Sequence, residues 1–364
     1  MTDSITPPRV SIVVPTYKEA ENIPHLVERI EKVFEAGFVV ELLIVDDDSR
    51  DGTEEVVASL GRPWVRLAVR TSDRGLSQAV VEGLRQARYE YVVVMDADLS
   101  HPPEKIPELV TTLIHGADMV FGSRYVAGGE IAEGWSVFRW LNSKVATLLA
   151  RPFTSIKDPM AGFFALPRER FLQADHLKPV GFKIGLELLV KCQCRDVREV
   201  PIRFEERRHG TSKLNLREQL NYVRHIRLLA TYRYPHLAAL VQFLVVGASG
   251  TFVNLTILTL LIGGGVAAQV ALGIAILGSM TSNYALNRRF TFSYARSGSF
   301  LRQYVGFVAV CAVGAAANYA TALWMLARFP GLWPQVAALG GIVVGTGSNY
   351  VFSRRFVFKG VLPR

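Results

Sequence analysis

Val92-Val93-Val94-Met95-Asp96-Ala97-Asp98-Leu99-Ser100-His101-Pro102-Pro103-Glu104 is a β-branched apolar run that ends in two carboxylates one residue apart. The Pro-Pro pair then stops strand pairing, because proline has no N–H to give to a ladder. In an open α/β sheet, ligands bind beyond the carboxyl ends of the strands, so a site is expected here. Asp96 and Asp98 are i and i+2, which on a regular strand places them on one face, where two carboxylates can hold one hard cation. Asp is also common where a strand becomes a turn, so the pair alone leaves a plain turn open.

Upstream of this stretch the same unit recurs. Residues 10–15 form a short buried strand cut off by Pro15, and the segment from Thr16-Tyr17-Lys18-Glu19 opens a helix running to about residue 36. Ile23, Leu26, Val27, Ile30, Val33 and Phe34 keep helical spacing in it, and Gly37 ends it. A second strand, 39–45, runs into the acidic turn Asp46-Asp47-Asp48-Ser49-Arg50-Asp51-Gly52-Thr53, which caps the next helix through Asp51 or Thr53. Strand 65–69, loop 70–76 and helix 77–87 precede the central stretch; helix 105–115 and strand 119–125, ending in Arg124-Tyr125, follow it. This alternation predicts an α/β domain with a mostly parallel sheet covered on both faces.

Beyond it the pattern changes. Residues 134–149 carry a broad apolar face with Trp135, Trp140, Arg139, Asn142, Ser143 and Lys144 on or beside it. They form either a helix packed on the sheet or an interfacial helix, since Trp next to bases suits a headgroup layer. Loop and strand over 158–166, a helix over 185–192 with Glu187 amid apolar neighbours, and a strand over 197–204 follow. Residues 215–234 are amphipathic and basic, with Arg217, Arg224, Arg227 and Arg233 opposite leucines, which reads as a membrane-surface element.

From about Leu237 the chain is membrane-like and contains a repeat. Gly250-Thr251-Phe252-Val253-Asn254 is echoed by Gly314-Ala315-Ala316-Ala317-Asn318. Ser282-Asn283-Tyr284-Ala285-Leu286-Asn287-Arg288-Arg289-Phe290-Thr291-Phe292 is echoed by Ser348-Asn349-Tyr350-Val351-Phe352-Ser353-Arg354-Arg355-Phe356-Val357-Phe358. Four spans are expected, over 240–262, 267–287, 304–326 and 334–353. The arginine pairs after the second and fourth spans set both pairs, and the N-terminal domain, on the cytoplasmic face of the cell membrane. Asn254 and Asn318, inside spans, are expected to hydrogen-bond between helices. The exposed apolar faces of the paired repeats suit a homo-oligomer.

The domains expected are therefore 1–213 catalytic, 214–236 juxtamembrane amphipathic helices, and 237–364 all-α and membrane-spanning. The 364 residues carry a formal charge of +9, a pI near 9.5 and a mean hydropathy of +0.23. A basic chain beside apolar spans points to anionic lipid headgroups and phosphorylated substrates rather than to nucleic acid. Cys192, Cys194 and Cys311 make no metal or disulfide pattern, and the polar N-terminus has no signal-peptide pattern. No G-x-x-x-x-G-K-[ST] loop occurs, nor a G-x-G-x-x-G after the first strand, which argues against a P-loop NTPase or a dehydrogenase.

Over about residues 9–235 the motifs resemble the family 2 glycosyltransferases of GT-A fold, and within them the enzymes that make dolichol-phosphate mannose. The carriers are Val14-Pro15-Thr16-Tyr17-Lys18-Glu19, the Asp46 to Thr53 turn, Arg74-Gly75-Leu76, Asp96 to Glu104, Gly122-Ser123-Arg124-Tyr125, and Phe204-x-x-Arg207-x-x-Gly210-x-Ser212-Lys213. The tail separately resembles the GtrA-like four-span membrane domain.

The resemblance implies that Pro15, Tyr17, Glu19, Ile44, Asp46, Asp47, Arg74, Asp96, Ala97 and Asp98 meet the donor nucleotide. Asp46 and Asp47 would bind base and ribose. Asp96, Asp98 and Ser100 would approach Mg²⁺ or Mn²⁺; Ser100 stands where the family often has Gln. Arg124, Arg139 and Ser143 would bind the lipid phosphate, and Asp98, Arg124, Arg207 and Lys213 would serve catalysis. The implied reaction is metal-dependent, inverting transfer of mannose from GDP-mannose to dolichyl or another polyprenyl phosphate. Alternatives are a polyprenyl-phosphate glucosyltransferase using UDP-glucose, or translocation of a lipid-linked sugar by the membrane domain.

Overall fold

Apolar β-branched runs of four to eight residues build the centre of the molecule. The structure, a computed structural model, describes residues 7–131, 137–174, 177–178, 183–205, 216–332 and 334–359. The chain divides into two compact units, Met1–Leu229 and Ala230–Arg364.

In the first unit β1 (Arg9–Thr16), α1 (Ile23–Glu35), β2 (Val39–Asp46), α2 (Thr53–Leu60), β3 (Val65–Val69), α3 (Leu76–Gln86) and β4 (Tyr91–Val94) alternate as expected. Then come α4 (Ile106–Ile114), β5 (Met119–Ser123), β6 (Glu130–Ile131), α5 (Val137–Ala150), β7 (Phe164–Pro167), α6 (Arg168–Leu172), α7 (Ile184–Lys191), β8 (Val197–Pro201), β9 (Arg203–Phe204) and α8 (Leu216–Arg233), the last reaching into the second unit. The main sheet has seven strands in the order β3-β2-β1-β4-β7-β5-β8, and only β7 is antiparallel to its neighbours. β6 and β9 form a small parallel pair.

Two sequence expectations shift. The helix expected to open at Thr16 begins at Ile23, and residues 17–22 turn over the end of β1, with Lys18 at φ +62°. The single strand expected over 197–204 is two, β8 and β9: proline at 201 ends the first, and Ile202 N–H donates to the Ser123 carbonyl before the chain joins β6.

One face of the sheet is covered by α1 and α4, whose Ile23, Leu26, Ile30, Leu109 and Val110 are buried against Ile12, Val14, Ile44 and Val93. On α3, Gly83 packs so close to the sheet that a Cβ there would lie 2.2 Å from Val13 Cγ1. The register sets Thr16 opposite Asp46 and Val13 opposite Val94, so the carboxyl ends of β2, β1 and β4 stand side by side. The order reverses at β1, the switch point where a crevice opens in such sheets.

The second unit holds α9 (Pro235–Gly263), α10 (Ala268–Leu286), α11 (Phe300–Arg328) and α12 (Pro334–Phe352). Among the described residues, α9 and α11 are long and apolar enough to cross a membrane. The repeat is structural as well as textual. Both arginine-bearing echoes wind into π-helical turns, Asn287–Thr291 and Ser353–Val357. Gly250 lies against the Asn283 side chain and Gly314 against that of Asn349, so each helix pair closes on an equivalent glycine–asparagine contact. The echoing Phe292 and Phe358 stack on each other at 4.6 Å between ring centroids. Asn254 Nδ2 donates to Ser279 Oγ of α10 at 3.4 Å, as expected of an in-span asparagine; Asn318 instead packs against Gly341 and Gly345 of α12.

Candidate active site

The acidic turn after β2 is held from both sides. Asp46 Oδ1 accepts from Thr16 Oγ1 (2.9 Å) and Ser49 Oγ (2.5 Å), and its Oδ2 accepts from Ser49 N–H at 2.8 Å. Asp47 pairs with Arg70 through Oδ1 and accepts from Gly75 N–H through Oδ2 at 2.6 Å. Asp48 and Arg50 both take positive φ, and Asp48 pairs with Arg50 and Arg74. The hydrogen bond from Arg50 and the two guanidinium charges hold the Asp48 carboxyl below its usual range. Pro15 is buried, Tyr17 is 44% exposed, and Glu19 accepts from Asn22 Nδ2 at 2.6 Å. Ile44 is fully buried in the sheet core with Val14.

The central stretch does not run on as a regular strand through both aspartates. β4 ends at Val94, Met95 N–H still donates to the Val13 carbonyl, and the chain then turns through Leu99 at φ +63°. A non-glycine residue held in the left-handed region is strained and needs surrounding support. Buried Leu99 has it, and the turn returns Ser100 N–H (3.1 Å) and Ser100 Oγ (2.6 Å) to Asp98 Oδ1. Asp96 and Asp98 therefore differ: Asp98 is 6% exposed and braced by Ser100, whereas the Asp96 side chain is 30% exposed and, among the described residues, its carboxylate accepts no hydrogen bond. The fully buried Ser100 spends its hydroxyl on Asp98. Ala97 is buried beneath the turn.

His101, which the sequence places in the motif without a structural role, fixes this turn. Asp96 N–H donates to its Nδ1 at 3.1 Å, and the ring stacks on Phe163 and meets the edge of Phe204. Burial pushes the His101 pKa down, so the ring is neutral with its proton on Nε2. Gly162 leaves room beside it, a Cβ there lying 3.3 Å from His101 Cε1 and 3.5 Å from Asp96 Oδ2.

On the other side of the site, Arg124 stands just past β5. Its Nε and Nη2 donate to the two oxygens of buried Asp158 at 2.7 and 2.8 Å, and its backbone N–H donates to Asp158 at 3.2 Å. The guanidinium also lies over the rings of Tyr125 and Phe204. Tyr125 Oη and Ser143 Oγ of α5 are 2.9 Å apart, with Lys144 over the tyrosine ring. The fold thus brings Arg124 and Ser143 to either side of Tyr125. The Arg139 side chain, Arg207 and Lys213 lie outside the described residues. The segment leading to the last two is placed: Glu205 N–H donates to the Ser100 carbonyl at 3.2 Å.

Asp158 and Lys183 are the residues that sequence reasoning missed. Asp158 is 34 positions from its partner Arg124, a distance that no local pattern spans. Lys183, between apolar residues and before α7, donates from Nζ to the Met160 carbonyl at 3.1 Å.

The chemistry of this donor set fits a hard divalent cation. Asp96 and Asp98 offer two carboxylates, and among the described residues no group of three or more His, Cys, Asp or Glu side chains could enclose a metal. An ion held by one or two carboxylates and completed by substrate phosphates is the usual Mg²⁺ arrangement.

Comparison with known proteins follows the two units. The model of glycosyl transferase family 2 matches residues 11–172, and that of the GtrA/DPMS transmembrane domain matches residues 242–358. A dolichol-phosphate mannosyltransferase from Pyrococcus furiosus is 38% identical over 351 residues, covering 95% of this chain and 98% of that protein. The Saccharomyces cerevisiae dolichol-phosphate mannosyltransferase is 39% identical over 236 residues, covering 62% of this chain and 88% of that protein. Among solved structures, glucosyl-3-phosphoglycerate synthase from Mycobacterium tuberculosis, crystallised with Mn²⁺, UDP and glucosyl-3-phosphoglycerate, matches at TM-score 0.48 and 21% identity, over 62% of this chain and 80% of that one.

Proposed function

This chain belongs to the dolichol-phosphate mannosyltransferases, glycosyl transferase family 2 enzymes with a membrane domain, and on that premise we propose how its residues divide the work of a transfer from GDP-mannose. The family membership rests on one observation above the others, the 38% identity to the Pyrococcus furiosus protein across nearly the full length of both chains. Transfer of mannose to dolichol phosphate is the activity that goes with it.

The nucleotide of GDP-mannose binds over the ends of β1 and β2, where Pro15, Tyr17, Glu19, Asp46, Asp47 and Arg74 gather. Asp46 and Asp47 read base and ribose from a turn already fixed by Thr16, Ser49, Arg70 and Gly75. Asp96 and Asp98 hold Mg²⁺ or Mn²⁺, with the open Asp96 carboxylate supporting this role and Ser100 bracing Asp98. Bound there, such an ion neutralises charge on the leaving diphosphate.

Arg124, Arg139 and Ser143 bind the phosphate of the acceptor. An oxygen of that phosphate is the nucleophile, and it is already anionic near neutral pH, so no general base has to remove a proton. Arg207 and Lys213 offset charge on the diphosphate as the glycosidic bond breaks. Attack opposite the leaving group inverts the anomeric carbon. The exposed apolar side chains of α5 (Leu141, Val145, Leu148) and α8 (Leu220, Val223), with Lys144 and Arg224 beside them, rest on the bilayer surface and bring the site to its lipid substrate. The membrane unit crosses the bilayer four times, with both arginine pairs and the catalytic unit on the cytoplasmic face.

Asp98→Asn tests the metal assignment. It keeps the Ser100 hydrogen bonds and removes the charge, so mannose transfer should fall at least about a hundredfold, on the scale of losing one preorganised electrostatic group. Mn²⁺ should also cease to tighten GDP binding in calorimetry. Near wild-type turnover by this variant would remove Asp98 from the metal site.

A further inference from the structure

Among the described residues, Lys183 makes no ion pair with a carboxylate. It stands half-buried at the start of α7, and desolvation lowers its pKa to about 8. An ammonium has three N–H donors. Here one goes to the Met160 carbonyl at 3.1 Å, and among the described residues no carboxylate comes within ion-pairing distance.

The charged groups nearby are Arg124, Asp158 and Asp96. Asp158 grips Arg124 with both oxygens, so its contacts go to the arginine and, among the described residues, the lysine has no carboxylate of its own. Asp96 is the carboxylate assigned above to a divalent cation. Three elements converge on this corner: the end of β5 with Arg124, the loop 158–163 whose Gly162 abuts Asp96, and the start of α7 with Lys183. A half-buried cation without a counter-charge is unfavourable and is stabilised when a ligand supplies the charge.

We propose that Lys183 is a phosphate-binding residue of the transfer site, its ammonium taking oxygens of a substrate phosphate beside the Arg124–Asp158 pair. This rests on the reading of the site as one that joins two phosphorylated substrates. The phosphate is either the monoester of the lipid acceptor or the diphosphate of the nucleotide sugar; both present anionic oxygens to which an ammonium donates hydrogen bonds. Binding separates the two sources and needs no turnover, so its outcome is independent of whether GDP-mannose is the donor.

The experiment uses the full chain in detergent, as wild type, Lys183→Met and Lys183→Arg, with Kd measured for a short polyprenyl phosphate, the matching phosphate-free polyprenol, and GDP. Lys183→Met should weaken a phosphorylated ligand at least about tenfold, equal to about 1.4 kcal/mol. Polyprenol binding should stay unchanged, and Lys183→Arg should recover most of the loss. A loss confined to polyprenyl phosphate assigns the ammonium to the acceptor, and one confined to GDP assigns it to the donor. Wild-type affinity of Lys183→Met for both phosphorylated ligands, or an equal loss for polyprenol, overturns the proposal. Should Lys183→Met fail to fold, Lys183→Gln is measured against the same criteria.

Discussion

Arg124 shows how one side chain's role depends on a partner far along the chain. From sequence it is a base at a strand end; in the fold it is clamped by Asp158 in a bidentate pair with both groups mostly buried. Breaking such a pair from one side leaves an uncompensated buried charge and typically costs about 3–5 kcal/mol. Asp158→Asn should therefore lower the melting temperature of the catalytic unit by several degrees, and the loosened guanidinium should raise the KM for the lipid acceptor more than that for GDP-mannose. An unchanged acceptor KM in a destabilised variant would reduce the pair to a structural tie. The Asp96 to Ser100 turn was legible as a site because its carboxylates are neighbours in sequence. Its internal asymmetry was not, because it arises from the left-handed Leu99 and from Ser100 turning back on Asp98.

At the scale of elements, α7 and α8 meet through Glu187, which the sequence marks only as an acid among apolar residues. Glu187 accepts from Lys191 Nζ and from Lys178 N–H, both at 2.6 Å, and His225 of α8 lies 3.5 Å away. Burial works against its charge, but the nearby His225 and the hydrogen bonds from Lys191 and the Lys178 backbone prevail and hold its carboxyl below the usual range. A carboxyl with a lowered folded pKa contributes stability above its unfolded pKa, near 4.3, and loses it as pH falls through the folded value. Glu187→Gln should thus destabilise the catalytic unit at pH 7 by about 3 kcal/mol, the scale of a broken buried pair. The gap from wild type in thermal unfolding should narrow below pH 4. A constant gap across that range would place the effect in packing rather than charge.

For the molecule as a whole, strand–helix alternation was readable because periods of two and of 3.6 residues are local properties. The direction of β7 was not, since Phe164–Pro167 is a short apolar run that pairs equally well either way. The membrane repeat was readable as text, and the structure gives it meaning: the echoing residues are those at the glycine–asparagine contacts, the π-helical turns and the Phe292–Phe358 stack. The functional assignment likewise was carried by motifs whose members are close in sequence, while Asp158, His101 and Lys183 needed the fold to bring their partners to them.

The central claim is that this enzyme moves mannose from GDP-mannose onto a lipid phosphate at the Asp96–Asp98 site. The most direct test offers GDP-mannose and UDP-glucose in parallel to the detergent-solubilised full chain, with Mn²⁺ and a short dolichyl phosphate, and identifies the glycolipid formed. The account predicts mannosyl phospholipid from GDP-mannose, nothing from UDP-glucose, and loss of product on chelation of the metal. Product from UDP-glucose alone, or mannose transfer that survives chelation, would contradict it.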